Sequence, residues 1–254
     1  MRNVLILGAV LVAGATLVAL DSIERPGNAH AVATAAPAAA TAAGPPVLVE
    51  LFTSQGCSSC PPADALLAKL DTEGGVVTLS RPVTYWDRLG WKDTLARPAN
   101  DLLQRSYAAR GLPDGGVYTP EAVVQGSTAA VGSDERKLRR LIAAARTAHP
   151  MTLTQAGDRV TASRALPGTE LRFVAVAKRR AVRIGRGENS GQAIGYTNVV
   201  LNEAATACAP SGACSAAIPV AIAGQPGADR WAAILQDKGG GRVQAVRWIG
   251  RPAK

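Results

Sequence analysis

The sequence predicts an α/β sandwich over residues 47–149 followed by a mostly antiparallel β domain over residues 150–254. Two observations carry this expectation. Up to Pro150, short apolar runs alternate with segments whose apolar residues recur at helical spacing. Beyond Pro150 the helical period fades, and alternating or apolar runs follow one another between Gly, Pro, Asn and Asp clusters. Aromatic residues make up only 4% of the chain, so Leu, Val, Ile and Ala must build the core.

Val47–Phe52 is a short apolar run suited to a buried strand. Pro61-Pro62 then opens a helix, because the first helical N–H groups lack partners in any case, and Leu66, Leu67 and Leu70 form its apolar face until Asp71–Gly75 closes it. Val76–Leu79 reads as the second strand, extending toward Val83 or Tyr85 past a break at Pro82. Asn100 is the expected cap of a helix running to about Arg110, with Leu102, Leu103 and Tyr107 on one side. Glu121–Gln125 and Ala129–Val131 are joined by the hairpin signal Gly126-Ser127. Ser133 is the expected cap of a helix from Asp134 to about Ala148.

In the second half, strands are expected at Thr152–Leu153, Val160–Ala162, Leu171–Ala177, Ala181–Ile184 and Tyr196–Leu201. Three more follow at Ile218–Ala223, Arg230–Gln236 and Val243–Ile249. No repeat of solenoid period is visible.

Arg2 followed by the uncharged apolar run Val4–Leu20, with a small-x-small pattern at Ala29-His30-Ala31, reads as a signal peptide over residues 1–31, and residues 32–46 form an Ala/Pro-rich linker. An uncleaved membrane anchor is the competing reading of the same run. Both readings export the remainder, to the periplasm or the cell exterior. The formal charge is +9, and Arg2, Arg25, Asp21 and Glu24 cancel, so the basicity belongs to the region that folds. It is spread over Lys178, Arg179, Arg180, Arg183, Arg186 and the Arg136–Arg146 segment without interleaved aromatics. That pattern argues against nucleic acid and for a solvated basic face drawn to anionic envelope surfaces.

Four cysteines in an exported chain allow two disulfides, and proximity pairs Cys57 with Cys60 and Cys208 with Cys214. With only two histidines and no second pair of cysteines at knuckle spacing, zinc and copper sites are disfavoured, and no metal or organic cofactor is expected. Cys57-Ser58-Ser59-Cys60 lies between the first strand and the first helix, where the helix dipole and unpaired N–H groups favour a thiolate. The pair is therefore read as thiol chemistry, with Cys57 the nucleophile and Cys60 the resolving thiol. The alternative is an inert bridge that pins the helix start.

This strand, dithiol, helix order, with Thr119-Pro120 opening a later strand, resembles thioredoxin-like proteins. The resemblance implies a cis Pro120 facing the dithiol, and a Thr119 backbone able to pair with an extended partner. The segments Val49–Asp64, Tyr85-Trp86-Asp87, Gly90–Asp93, Val117–Pro120, Val131-Gly132-Ser133, Arg186–Asn189 and Tyr196–Val200 narrow it further. Together they resemble a family of secreted bacterial thioredoxin-like proteins catalogued as a domain of unknown function.

Within that frame Cys57, Cys60, Pro120 and Glu50 are the candidate catalytic residues. Glu50 on the first strand would exchange protons with Cys60 if its face is buried. Thr119, Trp86 and Trp91 are candidate substrate-binding residues, although a structural plug explains the two tryptophans more simply. The turn Arg186–Asn189 is read either as a lock between domains or as an anion pocket. Cys208–Cys214 is expected to be a structural loop disulfide. The expected function is thiol:disulfide oxidoreduction on thiol- or disulfide-bearing envelope proteins. A non-catalytic envelope binding protein with structural disulfides is the alternative.

Overall fold

The computed structural model describes residues 44–146, 151–210, 212 and 214–252. The expected signal peptide and the end of the third helix near Ala148 lie outside the described residues. Among those described, no helix is long and apolar enough to cross a membrane.

β1 (Val47–Thr53) is buried on both faces, its run of apolar residues interrupted only by Glu50 before Thr53. α1 (Pro61–Glu73) follows it and returns the chain to β2 (Val76–Pro82), which lies parallel to β1. α2 (Pro98–Ala109) starts earlier than its sequence suggests. Pro98 occupies the first turn and the extended Arg97 precedes it, so Asn100 is not the cap. Asn100 is buried instead, its amide donating to the Pro82 carbonyl at 2.8 Å.

β3 (Glu121–Val124) pairs antiparallel with β1 and forms a hairpin with β4 (Thr128–Val131). Gly126 in that hairpin has φ +59°, and a Cβ there would fall 2.3 Å from the Gly241 carbonyl oxygen, so only glycine fits. α3 (Glu135–Arg146) is capped by Asp134, whose Oδ1 accepts the Lys137 N–H at 2.9 Å, and not by Ser133. α1 and α3 cover one face of β1 and β3, where Val47, Val49 and Leu51 meet Leu66, Leu67, Leu70, Leu138 and Ile142.

In the second half, β5 (Leu153–Ala156), β6 (Arg159–Ala162) and β9 (Cys214–Ala217) form a three-stranded sheet. β7 (Thr169–Arg183) and β8 (Ala193–Ala207) form a long hairpin, so two strands expected from the sequence are one. Lys178 and Arg179 interrupt the apolar run only because this end of the hairpin is exposed. The strand expected at Ile218–Ala223 is instead the helical turn α4 (Val220–Ala223) after Pro219. β10 (Arg230–Asp237) and β11 (Val243–Ile249) complete the set.

The fold class corrects the sequence expectation. β2 pairs in parallel with β8 at Ser80↔Val199, which gives one mixed eight-stranded sheet of order β11-β10-β7-β8-β2-β1-β3-β4. The chain is therefore a large mixed sheet with few helices, not a thioredoxin-like α/β sandwich followed by an antiparallel β domain. Alternating hydrophobicity reports which face of a strand is buried, but carries no record of which strand covers its edge. The core runs through the join: Leu48, Val77 and Leu79 pack with Val174, Val176, Val200, Ala232 and Ile234.

A charged network is buried beside this core. The Arg81 guanidinium donates to Glu50 Oε1 at 2.6 Å and to Glu203 Oε2 at 3.0 Å, while Arg172 reaches Glu203 Oε2 at 2.9 Å and also donates to Gln236. Tyr107 donates its hydroxyl to Glu50 Oε2 at 2.5 Å, and Asn100 Oδ1 accepts from Arg81 at 3.2 Å. Burial opposes ionisation of Glu203, but Arg81 and Arg172 outweigh it and hold the carboxyl well below the usual range.

Candidate active site

β1 delivers the chain at Thr53 into the turn Ser54-Gln55-Gly56, and Cys57 follows with its N–H on the Ser54 carbonyl at 3.2 Å. Cys60 stands immediately before α1 and is bonded to Cys57 as a disulfide. Its carbonyl accepts the Ala63 and Asp64 N–H groups, and its own N–H donates to the Cys57 carbonyl at 3.1 Å. Cys208 and Cys214 form the second disulfide, between the end of β8 and the start of β9. Two disulfides fit an exported chain.

The helix start is poorer in donors than its position suggests. Pro61 and Pro62 have no N–H, and the next two N–H groups are already on Cys60. Among the described residues, the Ser59 hydroxyl is the polar neighbour of the Cys57 sulfur, at 3.3 Å.

Both sulfur-bearing residues are buried, with 0% exposure, while Ser58 and Ser59 between them face solvent. Cys57, read from the sequence as the attacking thiol, thus has no exposed surface, and the turn between β7 and β8 is hydrogen-bonded to its loop. Asn189 Nδ2 donates to the Gln55 carbonyl at 3.0 Å and to the Cys57 carbonyl at 2.9 Å. Glu188 Oε2 accepts the Ser58 N–H at 2.9 Å. Hydrogen bonding from Ser58, by side chain first and backbone second, holds the Glu188 carboxyl below its ordinary value. Of the two readings of this turn, the lock describes its contacts, and what it locks is the dithiol loop.

Trp86 and Trp91 flank the same loop. Trp91 Nε1 donates to Gln55 Oε1 at 2.9 Å, and its ring lies against Gly185, where a Cβ would fall 2.8 Å from Cζ3. Trp86 packs with Phe52, Val83 and Tyr107. With Gly56, Leu89, Gly187 and Glu188 the two tryptophans line a pocket of about 370 Å³ beside the bridge. They are therefore both packing residues and pocket walls.

The Thr119–Pro120 peptide is cis, the isomer expected of it. Pro120 lies on the α1 side of the sheet: a Cβ on Gly132 would stand 3.1 Å from the Ala63 Cβ and 3.2 Å from the Pro120 Cβ. The Thr119 hydroxyl oxygen is buried in the neighbourhood of the Tyr85 hydroxyl.

Glu50 is not brought to Cys60. Val49 and Leu51 point to α1, so the intervening Glu50 points to the opposite face, into the network of Arg81 and Tyr107. The acid on the dithiol side is Asp64, which the sequence reading passed over. One turn beyond Cys60, it is 3% exposed, with Oδ2 accepting from the Thr53 hydroxyl at 3.0 Å and Oδ1 unpartnered. Burial drives its carboxyl well above the usual range. The Thr53 hydrogen bond opposes the shift and Asp93 adds to it.

Tyr196 on β8 is also buried with its hydroxyl unpartnered, and burial followed by the charges of Asp64 and Asp93 pushes its ionisation upward. Asp93 accepts the Gln55 and Leu95 N–H groups, each at 2.8 Å. Burial raises its carboxyl, against those two hydrogen bonds. An acid in the first helical turn normally reads as a solvated partner of the dipole, which is why the sequence alone did not single out Asp64.

Residues 48–236 match the family model described as "Protein of unknown function (DUF1223)". A search of curated proteins finds no match. Among solved structures, protein AGR_C_4864 from Agrobacterium tumefaciens is similar at 29% identity and TM-score 0.68, over 83% of this chain and 96% of that one. HBP35 of Porphyromonas gingivalis is similar in fold at 16% identity and TM-score 0.51, over 83% of this chain and 77% of the other.

Proposed function

The chain belongs to the DUF1223 family, and from that premise we propose that it is an exported thiol:disulfide oxidoreductase acting through Cys57 and Cys60 on envelope or secreted proteins. The observation that carries this reading is the Cys57–Cys60 bridge at the start of α1, set beside a pocket walled by Trp86, Leu89 and Trp91. A three-residue separation lets one sulfur resolve what the other captures.

In the reducing direction, the Cys57 thiolate attacks one sulfur of a partner disulfide, and the partner's other sulfur leaves as a thiolate. Cys60 thiolate then attacks the Cys57 sulfur and expels the remaining partner sulfur. Two electrons pass to the partner, and the chain is left as the Cys57–Cys60 disulfide. The oxidising direction is the same sequence reversed. Lys178, Arg179, Arg183 and Arg186, exposed toward the tip of the long hairpin, support a further contact with anionic envelope surfaces.

Burial of both cysteines favours a second reading, a non-catalytic envelope binding protein whose bridge only fixes the loop. Equilibration with glutathione and dithiothreitol buffers separates the two. A potential in the range of known dithiol carriers, about −120 to −270 mV, supports the oxidoreductase, as does a Cys60→Ser variant that holds a mixed disulfide with glutathione through Cys57. A potential below about −300 mV, with no mixed disulfide on that variant, establishes the structural bridge.

A further inference from the structure

We propose that Asp64 stores the proton that Cys60 gains and loses during exchange; the assignment rests on turnover of the Cys57–Cys60 pair. Three placements support it. Asp64 follows Cys60 by one helical turn, its N–H on the Cys60 carbonyl at 3.1 Å, so the two side chains leave the same face of α1, with Cβ atoms about 5–6 Å apart. The carboxyl is buried, and Oδ1 has no partner among the described residues. The Tyr196 hydroxyl is buried and equally unpartnered, within electrostatic reach of Asp64. A buried polar atom without a partner calls for an explanation, and proton exchange with the neighbouring Cys60 supplies one for Asp64.

The groups facing Asp64 are Thr53 from β1, Asp93 from the segment after β2, and Tyr196 from β8. None of them is a cation, so no ion pair holds the carboxyl charged; burial and Asp93 both favour its neutral form.

The step balances as follows. When an incoming thiolate attacks the Cys57 sulfur, the S–S bond breaks and its electron pair goes to Cys60. The Cys60 thiolate takes the proton from the Asp64 carboxyl, and Asp64 is left as a carboxylate. In the resolving direction, the Asp64 carboxylate removes the Cys60 thiol proton, and the thiolate attacks the mixed disulfide. The Tyr196 hydroxyl, within electrostatic reach of the carboxyl, tunes its proton affinity without bonding to it in this structure.

The test is resolution of a Cys57–glutathione mixed disulfide by Cys60, followed as glutathione release from pH 5 to 9 in the wild type and in Asp64→Asn and Tyr196→Phe. A thiol with an ordinary value near 8.5 is only about 3% ionised at pH 7. We expect Asp64→Asn to slow release at least about tenfold at pH 6–7, the gap closing toward pH 9 as Cys60 ionises unaided. Tyr196→Phe is expected to move the pH profile without abolishing release. An Asp64→Asn profile superimposable on the wild type overturns the inference and leaves the oxidoreductase reading intact. A wild type that never releases glutathione defeats both. Redox-difference infrared spectroscopy of the wild type gives a readout that needs no variant. Loss of a protonated-carboxyl band on reduction is expected, and an unchanged carboxyl region counts against the proposal.

Discussion

Asn189→Ala tests whether the hairpin turn governs access to Cys57. The amide is 1% exposed and donates to two carbonyls of the dithiol loop, at 3.0 Å and 2.9 Å. Each such hydrogen bond contributes about 1 kcal/mol net, so truncation weakens the closed turn by about 2 kcal/mol. That is a factor of about 30 in the closed-to-open equilibrium. Because Cys57 has no exposed surface, a reductant in solution meets the bridge only in the open form. The rate of bridge reduction by excess dithiothreitol should rise about 30-fold, read by rapid alkylation and mass measurement at timed intervals.

Loss of global stability could mimic the effect, and the urea dependence of the rate separates the two cases. Opening of the turn alone exposes little surface and gives a shallow slope, whereas reduction through global unfolding gives the slope of complete denaturation. A variant reduced within twofold of the wild-type rate, with Ser58 amide exchange unchanged, would refute the reasoning.

Two further outcomes follow from the buried acids. Glu203 has its folded pKa depressed by Arg81 and Arg172, so its contribution is full above the unfolded value near 4.3 and shrinks as pH falls toward the folded one; Glu203→Gln should cost about 3 kcal/mol at pH 7 and clearly less at pH 2, measured by urea titration at both pH values. A cost independent of pH would show that the carboxylate charge is not what Arg81 and Arg172 require. Asp64 has the opposite sign. Its raised folded pKa makes its contribution full below about 3.9 and lost as pH rises through the folded value, so Asp64→Asn should match the wild type near pH 3 and exceed it in thermal midpoint at pH 8. Equal midpoints at pH 8 would mean that the buried carboxyl is not held neutral.

β1, α1 and the β3–β4 hairpin were legible because their signals are local, whereas Ile218–Ala223 was read as a strand and is a helical turn. The run Val47–Phe52, the prolines opening α1 and the Gly126 hairpin each declare a conformation within a few residues. Asn100 and Ser133 misled because a capping residue type is not itself a cap; Pro98 and Asp134 take the helix starts, and Asn100 is used inside the protein. The fold class failed at the join of β2 and β8, where partners 119 residues apart meet without a pattern in either strand.

Around the bridge, Cys57, Cys60, Trp86 and Trp91 were singled out from the motif and its companions, and the structure sets the two tryptophans against the dithiol loop. The choice of Glu50 over Asp64 turned on which face of β1 meets α1. Strand alternation separated Glu50 from its neighbours without saying which side held the dithiol. Asp64 could have been noticed from its spacing of four from Cys60. Its burial, however, depends on Thr53, Asp93 and a tyrosine more than a hundred residues away.

Strands joined over a short ladder can slide past one another, and β2 and β8 meet at a single paired residue on each side, in contrast to the long ladder between β7 and β8. Leu, Val and Ala on the shared core face would tolerate such a slide, since one methyl contact resembles another. The guanidinium of Arg81 would not. Held between Glu50 of the neighbouring β1 and Glu203 of β8 at 2.6 Å and 3.0 Å, it would keep the first but lose the second after a shift of one residue, about 3.3 Å, leaving a buried charge one partner short. The ion network thus works as a key cut for one alignment. Apolar side chains of similar volume could hold the two halves as tightly, but they would not tell the correct alignment from its neighbours. Through the β7–β8 hairpin, the same alignment decides whether Asn189 arrives over Cys57.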